Sequence, residues 1–146
     1  MAEIVLLDAG PLGMVSHPRP ADDVVIWLAR LLAANIQVLV PEIADYEVRR
    51  ELLRARLNKS VRRLDELRAT LGFLPITTQA MLRAAGFWAE TRRKGRPTAH
   101  ELTLDADAIL AGKAATISDR EVVVATVNTR HIERFVPAEH WKLIEP

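Results

Sequence analysis

Apolar residues follow two rhythms along this chain. Short unbroken runs alternate with stretches in which apolar positions recur every three or four residues. The first run, Ile4-Val-Leu-Leu7, stops abruptly at Asp8. A run that is apolar at every position reads as a strand buried on both faces, as strands of parallel sheets are. Gly10, Pro11 and Gly13 then predict a turn, and Pro18 and Pro20 keep the next stretch out of helix. Residues 21–34 predict a helix, with Val24, Trp27, Leu28, Leu31 and Leu32 as its apolar stripe and Asp22 and Asp23 at its positive end. A second short strand spans 36–40 and is stopped by Pro41. Residues 42–56 predict a helix, Asn58-Lys-Ser60 a break, and the following residues a second helix to Leu71, closed by Gly72. Residues 73–76 suit a third strand. A helix over 78–93 ends at Lys94-Gly-Arg-Pro97, a short Ala-rich helix covers 105–115, and a Val-rich strand covers 121–127. A last apolar run occupies 141–144.

Strands alternating with helices predict an α/β fold around a parallel sheet, in one domain over residues 1–146. In such sheets ligands bind outside the carboxyl ends of the strands, where strand order reverses. At 146 residues a chain can bury a core without staples, and 49% hydrophobic with 27% charged residues excludes wholesale disorder. The absence of cysteine removes disulfides, thiolate zinc sites and cysteine nucleophiles. No apolar stretch approaches the ~18 residues of a membrane span, and no basic stretch precedes the first apolar run, so a cytoplasmic protein with no membrane partner is expected.

Several polar residues fall where chemistry can occur. Asp8 ends the first buried strand, beside a Gly-rich turn that permits close approach. Its plainer role is to cap a loop. Asp105 and Asp107 open the Ala-rich helix, where acids also serve as caps and dipole partners. Glu47 lies in the helix after the second strand, where it could pair with Arg50, as Glu51 could with Arg54. Glu42 and Asp45 read as N-terminal dipole partners. Thr126 and Asn128 put small polar groups at the end of the late strand. His17, His100, His131 and His140 show no ligand spacing, which argues against a zinc site. Dinucleotide, P-loop and nucleophile-elbow signatures are missing. Carboxylates on separate elements that converge at one sheet edge suit Mg²⁺ or Mn²⁺.

These four pieces, an Asp ending strand one (Leu6-Leu-Asp-Ala-Gly-Pro-Leu-Gly13), a helix Glu after strand two, an Asp before Ala-Ile-Leu-Ala111, and Thr126-Val-Asn128, together resemble the PIN-domain nucleases. Their order fits from Ile4 to Phe135, and the style is that of the VapC-like toxin ribonucleases. The resemblance implies a three-layer α/β/α fold with a central, mostly parallel sheet of four to five strands. It implies that Asp8, Glu47 and Asp107 are catalytic and hold Mg²⁺ or Mn²⁺, with Asp105 an added acid that supports the metal or caps the helix. The metal would polarise a phosphoryl oxygen and lower the pKa of a water, hydrolysing an RNA phosphodiester. Asn128 stands where family members often carry a fourth acid and can hold a water or phosphate, with Thr126 beside it. Gly10 stands where many have Asn. The implied partners are an RNA substrate, a second copy of the chain and a cognate antitoxin.

Charge completes the picture. Lys+Arg is 20 and Asp+Glu 19, so net charge does not announce a nucleic acid. By position the balance separates: residues 47–68 hold seven Arg and one Lys against four acids. Arg49 and Arg50 there, with Arg93 and Arg96 further on, are candidates to track an RNA backbone. The same arginines could instead pair with acids of a partner protein. A second reading follows from Asn128 and Gly10: a PIN-like module that binds RNA or protein with weak or no cleavage.

Overall fold

The computed structural model of the protein describes residues 2–95 and 101–146, with the side chains of 101–103 not described. Arg96 and His100 therefore lie outside the described residues. Five strands, all parallel to their neighbours, form one sheet in the order β3-β2-β1-β4-β5. In chain order these are β1 (Ile4–Leu7), β2 (Gln37–Pro41), β3 (Phe73–Leu74), β4 (Val122–Thr126) and β5 (Ala138–His140). Helices α1 (Ala9–Ser16), α2 (Asp22–Ala33), α3 (Glu42–Arg54), α4 (Asn58–Leu71), α5 (Thr78–Arg93) and α6 (Glu101–Ala115) connect them. The expected α/β/α architecture with a five-stranded parallel sheet is what forms.

The unbroken runs do what such runs do in a covered sheet. Val5 and Leu7 of β1 face one layer, with Trp27 and Leu31 of α2, Leu12 of α1 and Leu64 of α4. Ile4 and Leu6 face the other, with Leu110, Ala111 and Ala114 of α6. All four β1 residues are at most 5% exposed. Full burial of each such side chain is worth roughly 1.5–3 kcal/mol, so the central strand anchors both layers. Trp27 joins the core. Its ring meets Trp141 edge-on at 5.4 Å and its indole N–H donates to the Ile144 carbonyl at 3.0 Å. Phe87 stacks on Phe135 at 4.7 Å, while Trp88 stays 37% exposed.

Four local expectations change. The predicted turn after Asp8 is helix α1. Asp8 Oδ1 accepts from the Ala9 amide at 2.8 Å, and the Leu12 amide already bonds to the Asp8 carbonyl at 3.0 Å. Pro11 sits in the first turn, where its missing N–H costs nothing. The break between α3 and α4 falls at 55–57, with Arg56 left-handed at φ 57°. Asn58-Lys-Ser60 is thus the first turn of α4 rather than the breaker. α6 includes Glu101, so Asp105 and Asp107 lie in its body rather than at its start. Ala138–His140 forms an edge strand, and the apolar run at 141–144 begins with a 3-10 turn, Trp141–Leu143.

The two helices of the second layer approach most closely at Gly112. A Cβ built there would collide with the Ala80 carbonyl oxygen and come within 2.9 Å of the Ala84 amide nitrogen. Backbone cannot yield as a flexible side chain does, so we expect Gly112→Ala to lower stability by about 1–3 kcal/mol. Urea denaturation checks this. An unchanged midpoint would mean that α5 and α6 do not meet there.

Candidate active site

The strand order reverses between β1 and β4, and Asp8 and Thr126 stand at the carboxyl ends of those two neighbours. The Thr126 hydroxyl donates to Asp8 Oδ2 at 2.7 Å, and the other carboxylate oxygen takes the Ala9 amide. Both oxygens are thereby oriented by groups of the sheet edge and the helix that leaves it. Thr126 is 1% exposed, so its hydroxyl is a fixed part of the seam rather than a surface rotor. Its oxygen also accepts from the Asn128 amide at 3.2 Å, which folds the chain back after β4.

Glu47 comes from α3, which begins directly at the end of β2, and is half-buried. Asp107 comes from α6, one turn before the buried Leu110 and Ala111 that hold that helix on the sheet. α3 and α6 touch one another across this edge. Three carboxylates from three elements therefore meet at one crevice, and their ionisation registers it. Burial pushes Asp8 above the usual carboxylate range, against the hydrogen bonds from Thr126 and Ala9. Burial raises Glu47 as well, with the charge of Asp8 acting in the same direction and Arg50 opposing it. Asp107 is pushed up to about 7, by burial first and then by the charges of Asp8 and Glu47.

The other expected residues go elsewhere. Asp105 is exposed and lines a shallow groove with Met81, Trp88 and Ile109, away from the three acids. Two residues along a helix amount to ~200° of rotation, which is why it parts from Asp107. Arg49 is half-buried and committed to acids of its own chain, reaching Asp45 at 3.0 and 3.1 Å and Asp65 at 2.8 Å. This geometry makes it a strut between α3 and α4 and corrects its expectation as an RNA contact. Arg50 is exposed beside the Tyr46 ring, and Arg93 is exposed at the end of α5. Glu51 pairs with Arg54 at 2.9 Å, as spacing suggested. Glu42 accepts from the Ile76 amide at 2.7 Å and so fixes the chain after β3. Asn128 Oδ1 accepts from the Arg130 amide at 3.2 Å, so its side chain is used in the turn.

One residue that sequence reading passed over acts on the crevice. Arg134 is the cation whose charge opposes the rise of Asp107. Its Nε donates to the His131 carbonyl at 3.0 Å. Only folding of the turns at 129–135 brings it near α6, so no spacing rule exposes it. Gly10 has a spatial reason as well. A Cβ there would lie 2.9 Å from both methyls of Val127, so any larger residue at this position requires that exposed valine to shift.

The donor set consists of hard carboxylate oxygens, which suits Mg²⁺ or Mn²⁺ and not a closed zinc cage. Among the described residues, no three His, Asp or Glu side chains stand close enough to form a ready-made metal cage. Mg²⁺ does not need one, because it binds through one or two carboxylates and fills its shell with water and phosphate oxygens. The residues fit such an ion.

No sequence-family model and no curated protein sequence matches the chain. The fold does find counterparts among solved structures. FitAcB from Neisseria gonorrhoeae is 22% identical over 96% of this chain and 99% of that one, with a TM-score of 0.70. VapBC2 from Rickettsia felis, bound to a DNA fragment from their promoter, is 16% identical over 94% and 98%, with a TM-score of 0.73. DNA-bound VapBC from Salmonella typhimurium is 22% identical over 97% and 99%, with a TM-score of 0.65. The chain has the VapC-like PIN fold over at least 94% of its length.

The raised carboxyls carry a sign for stability. Asp107 has an ordinary value of 3.8 and a folded value of about 7, so the folded, metal-free protein holds this proton more tightly than the unfolded chain. Its contribution is neutral below pH ~4, turns unfavourable as pH rises from 4 to 7, and is fully unfavourable above that. In EDTA we therefore expect Asp107→Asn to be more stable than wild type at pH 8, by on the order of 1–3 kcal/mol, with the gap closing toward pH 4. Denaturation curves across that range check it. A gap independent of pH would contradict the assignment.

Proposed function

We propose that the protein is a divalent-metal-dependent endoribonuclease of the VapC kind, the toxin of a toxin–antitoxin pair. The observation that carries this reading is the meeting of Asp8, Glu47 and Asp107 at the strand-order switch point, each raised by burial and coupled to another by charge. Buried like charges persist in proteins when something of opposite sign completes them. Arg134 and Arg50 offset part of the charge, and a hard divalent cation would offset the rest.

In this reading Asp8 and Asp107 are the principal holders of Mg²⁺ or Mn²⁺, with Glu47 at its flank. When bound, the cation supplies Lewis acidity toward a phosphoryl oxygen and admits a phosphate that three bare carboxylates would repel. Thr126 keeps Asp8 in one orientation, so the carboxylate needs no reorganisation as charge develops. Glu47, at the flank of the cation and with its proton affinity raised by burial and by Asp8, is suited to take a proton from an attacking water. Arg134, beside Asp107, is placed to stabilise the extra negative charge on a cleaved phosphate. The expected partners are RNA, a second copy of the chain and a cognate antitoxin. No helix among the described residues is long and apolar enough to cross a membrane, in keeping with action on RNA in the cytoplasm.

A second reading has one observation in its favour. The Asn128 Oδ1 is used within its own turn, and the fourth position adds no negative charge to the crevice. A PIN-like module with three acids could bind RNA and cut it slowly or not at all.

RNA cleavage should vanish in EDTA and return with Mg²⁺ or Mn²⁺. Asp8→Asn and Asp107→Asn should each lower the single-turnover rate by at least about a hundredfold while leaving the fold intact by circular dichroism. Cleavage that persists in either variant would sink the assigned roles. Tight RNA binding without cleavage in any metal would favour the second reading.

A further inference from the structure

A cavity of about 710 Å³ opens where the end of α1 meets the α3–α4 junction. Every ionisable side chain that lines it is basic: His17, Arg19, Arg56, Lys59 and Arg62. On the neighbouring face of α3, Arg54 is matched with Glu51 and Arg49 with Asp45. Among the described residues Arg19, Arg56, Lys59 and Arg62 make no ion pair, and all four are exposed. A solvated charged face normally intersperses signs. Here like charges ring one concavity.

Its floor is the first turn of α4. That helix starts after Leu57 with no side-chain cap and no acid in its first turn. Its ladder opens with the Val61 amide bonding to the Leu57 carbonyl at 3.1 Å, which leaves the N–H groups of 58–60 ahead of it. Uncapped amides and the positive end of a helix favour phosphate. Ser60 supplies an independent sign. It is 5% exposed and lines the cavity, and among the described residues its hydroxyl has no hydrogen-bond partner. That hydroxyl keeps contact with solvent through the cavity, so it is free to donate to an oxygen seated there. The Arg19 amide donates to His17 Nδ1 at 3.0 Å, which leaves Nε2 as that ring's donor in the neutral form.

We propose that this cavity is a phosphate site for the backbone of a single-stranded nucleic acid, remote from the carboxylate crevice. α3 descends from the carboxyl edge of the sheet, so its last residue, Arg54, lies ~10 Å along the axis from Glu47, and Arg56 follows it in the junction. A strand seated here would be held a few nucleotides from the acids. That the strand is RNA rests on the nuclease reading, whereas the phosphate recognition does not. Three arginines offer forked donors that match phosphate oxygens. No Phe, Tyr or Trp lines the cavity and His17 is its one aromatic ring, so stacking of bases is limited and recognition falls mainly on the backbone. Pro18 and Leu57 are the only apolar residues of the lining, too few for the row of anchors that an amphipathic acidic peptide would use.

The test measures binding of a labelled ten-nucleotide single-stranded RNA by fluorescence anisotropy, in EDTA, at several salt concentrations. Arg56→Asn/Arg62→Gln removes two cavity charges, with Asn chosen because it tolerates the left-handed backbone at 56. It should weaken binding at least about fivefold and flatten the log–log salt slope by about one. Arg30→Gln/Arg83→Gln, an equal loss of charge outside the cavity, should change affinity less than twofold. Ser60→Ala, which alters no charge, should weaken binding about two- to fivefold, with thermal melts verifying that each variant is folded. Equal weakening by the two charge pairs, or unchanged affinity in the cavity pair, would overturn the proposal. So would an oligoglutamate of matched charge that binds as tightly and responds to the same variants, since the site would then dock an acidic protein segment. Weakened binding in the cavity variants of a protein that never cleaves RNA would keep the phosphate site and reject the nuclease reading.

Discussion

The hydrogen bond from the Thr126 hydroxyl to Asp8 Oδ2, 2.7 Å long, crosses the seam where the parallel sheet reverses its strand order. Helices leave the ends of β1 and β2 on one side, and the chain after β4 turns back on itself, so the seam is open toward solvent. α3 and α6 close it with one acid each, Glu47 and Asp107. The sheet order thus creates the crevice, the seam bond orients its central carboxylate, and two helices packed by apolar faces bring like charges to it. Apolar burial on both sides of β1 supplies the free energy that tolerates this arrangement. A few kcal/mol of electrostatic penalty is affordable only because the surrounding strands are nearly inaccessible to water.

The near balance of 20 basic and 19 acidic residues conceals a separation in space. Acids gather at the carboxyl edge of the sheet, and unpaired cations gather where α1 ends and α3 gives way to α4. Arginines between these poles are partly occupied as struts, Arg49 above all. For a polyanion, such a surface is attractive at one end and repulsive at the other until a divalent cation intervenes. In the proposed function, binding and chemistry are separable, and loss of the cation need not abolish attachment of the strand.

Much of this was legible in the chain. Strands that are apolar at every position, such as Ile4–Leu7, cannot be mistaken for amphipathic helices, and their alternation with 3.6-residue stripes specifies a parallel sheet. Asp8 stands out because it ends a buried strand, while Glu47 and Asp107 were singled out by their resemblance to the PIN pattern, Asp107 at an expected helix start although it lies in the helix body. What escaped depends on context rather than pattern. Gly-Pro reads as a turn, yet Pro11 is harmless in a first helical turn and Asp8 caps it, so α1 forms. Ala138–His140 has no strand pattern of its own and becomes a strand by pairing with β4. Arg49 looks like any surface arginine until α4 supplies Asp65. Arg134 and the cavity cations are brought into place only by tertiary packing, which no local spacing encodes.

The central claim is that the three half-buried carboxylates form a cation site that is incomplete by itself. Calorimetric titration of Mn²⁺ into the protein at pH 7, repeated in buffers of different ionisation enthalpy, tests it most directly. With Asp107 titrating near 7, binding should release on the order of half a proton or more, and both the heat and the proton release should disappear in Asp8→Asn/Asp107→Asn. Binding that persists in that variant, or no binding by wild type at millimolar Mn²⁺, would contradict the account.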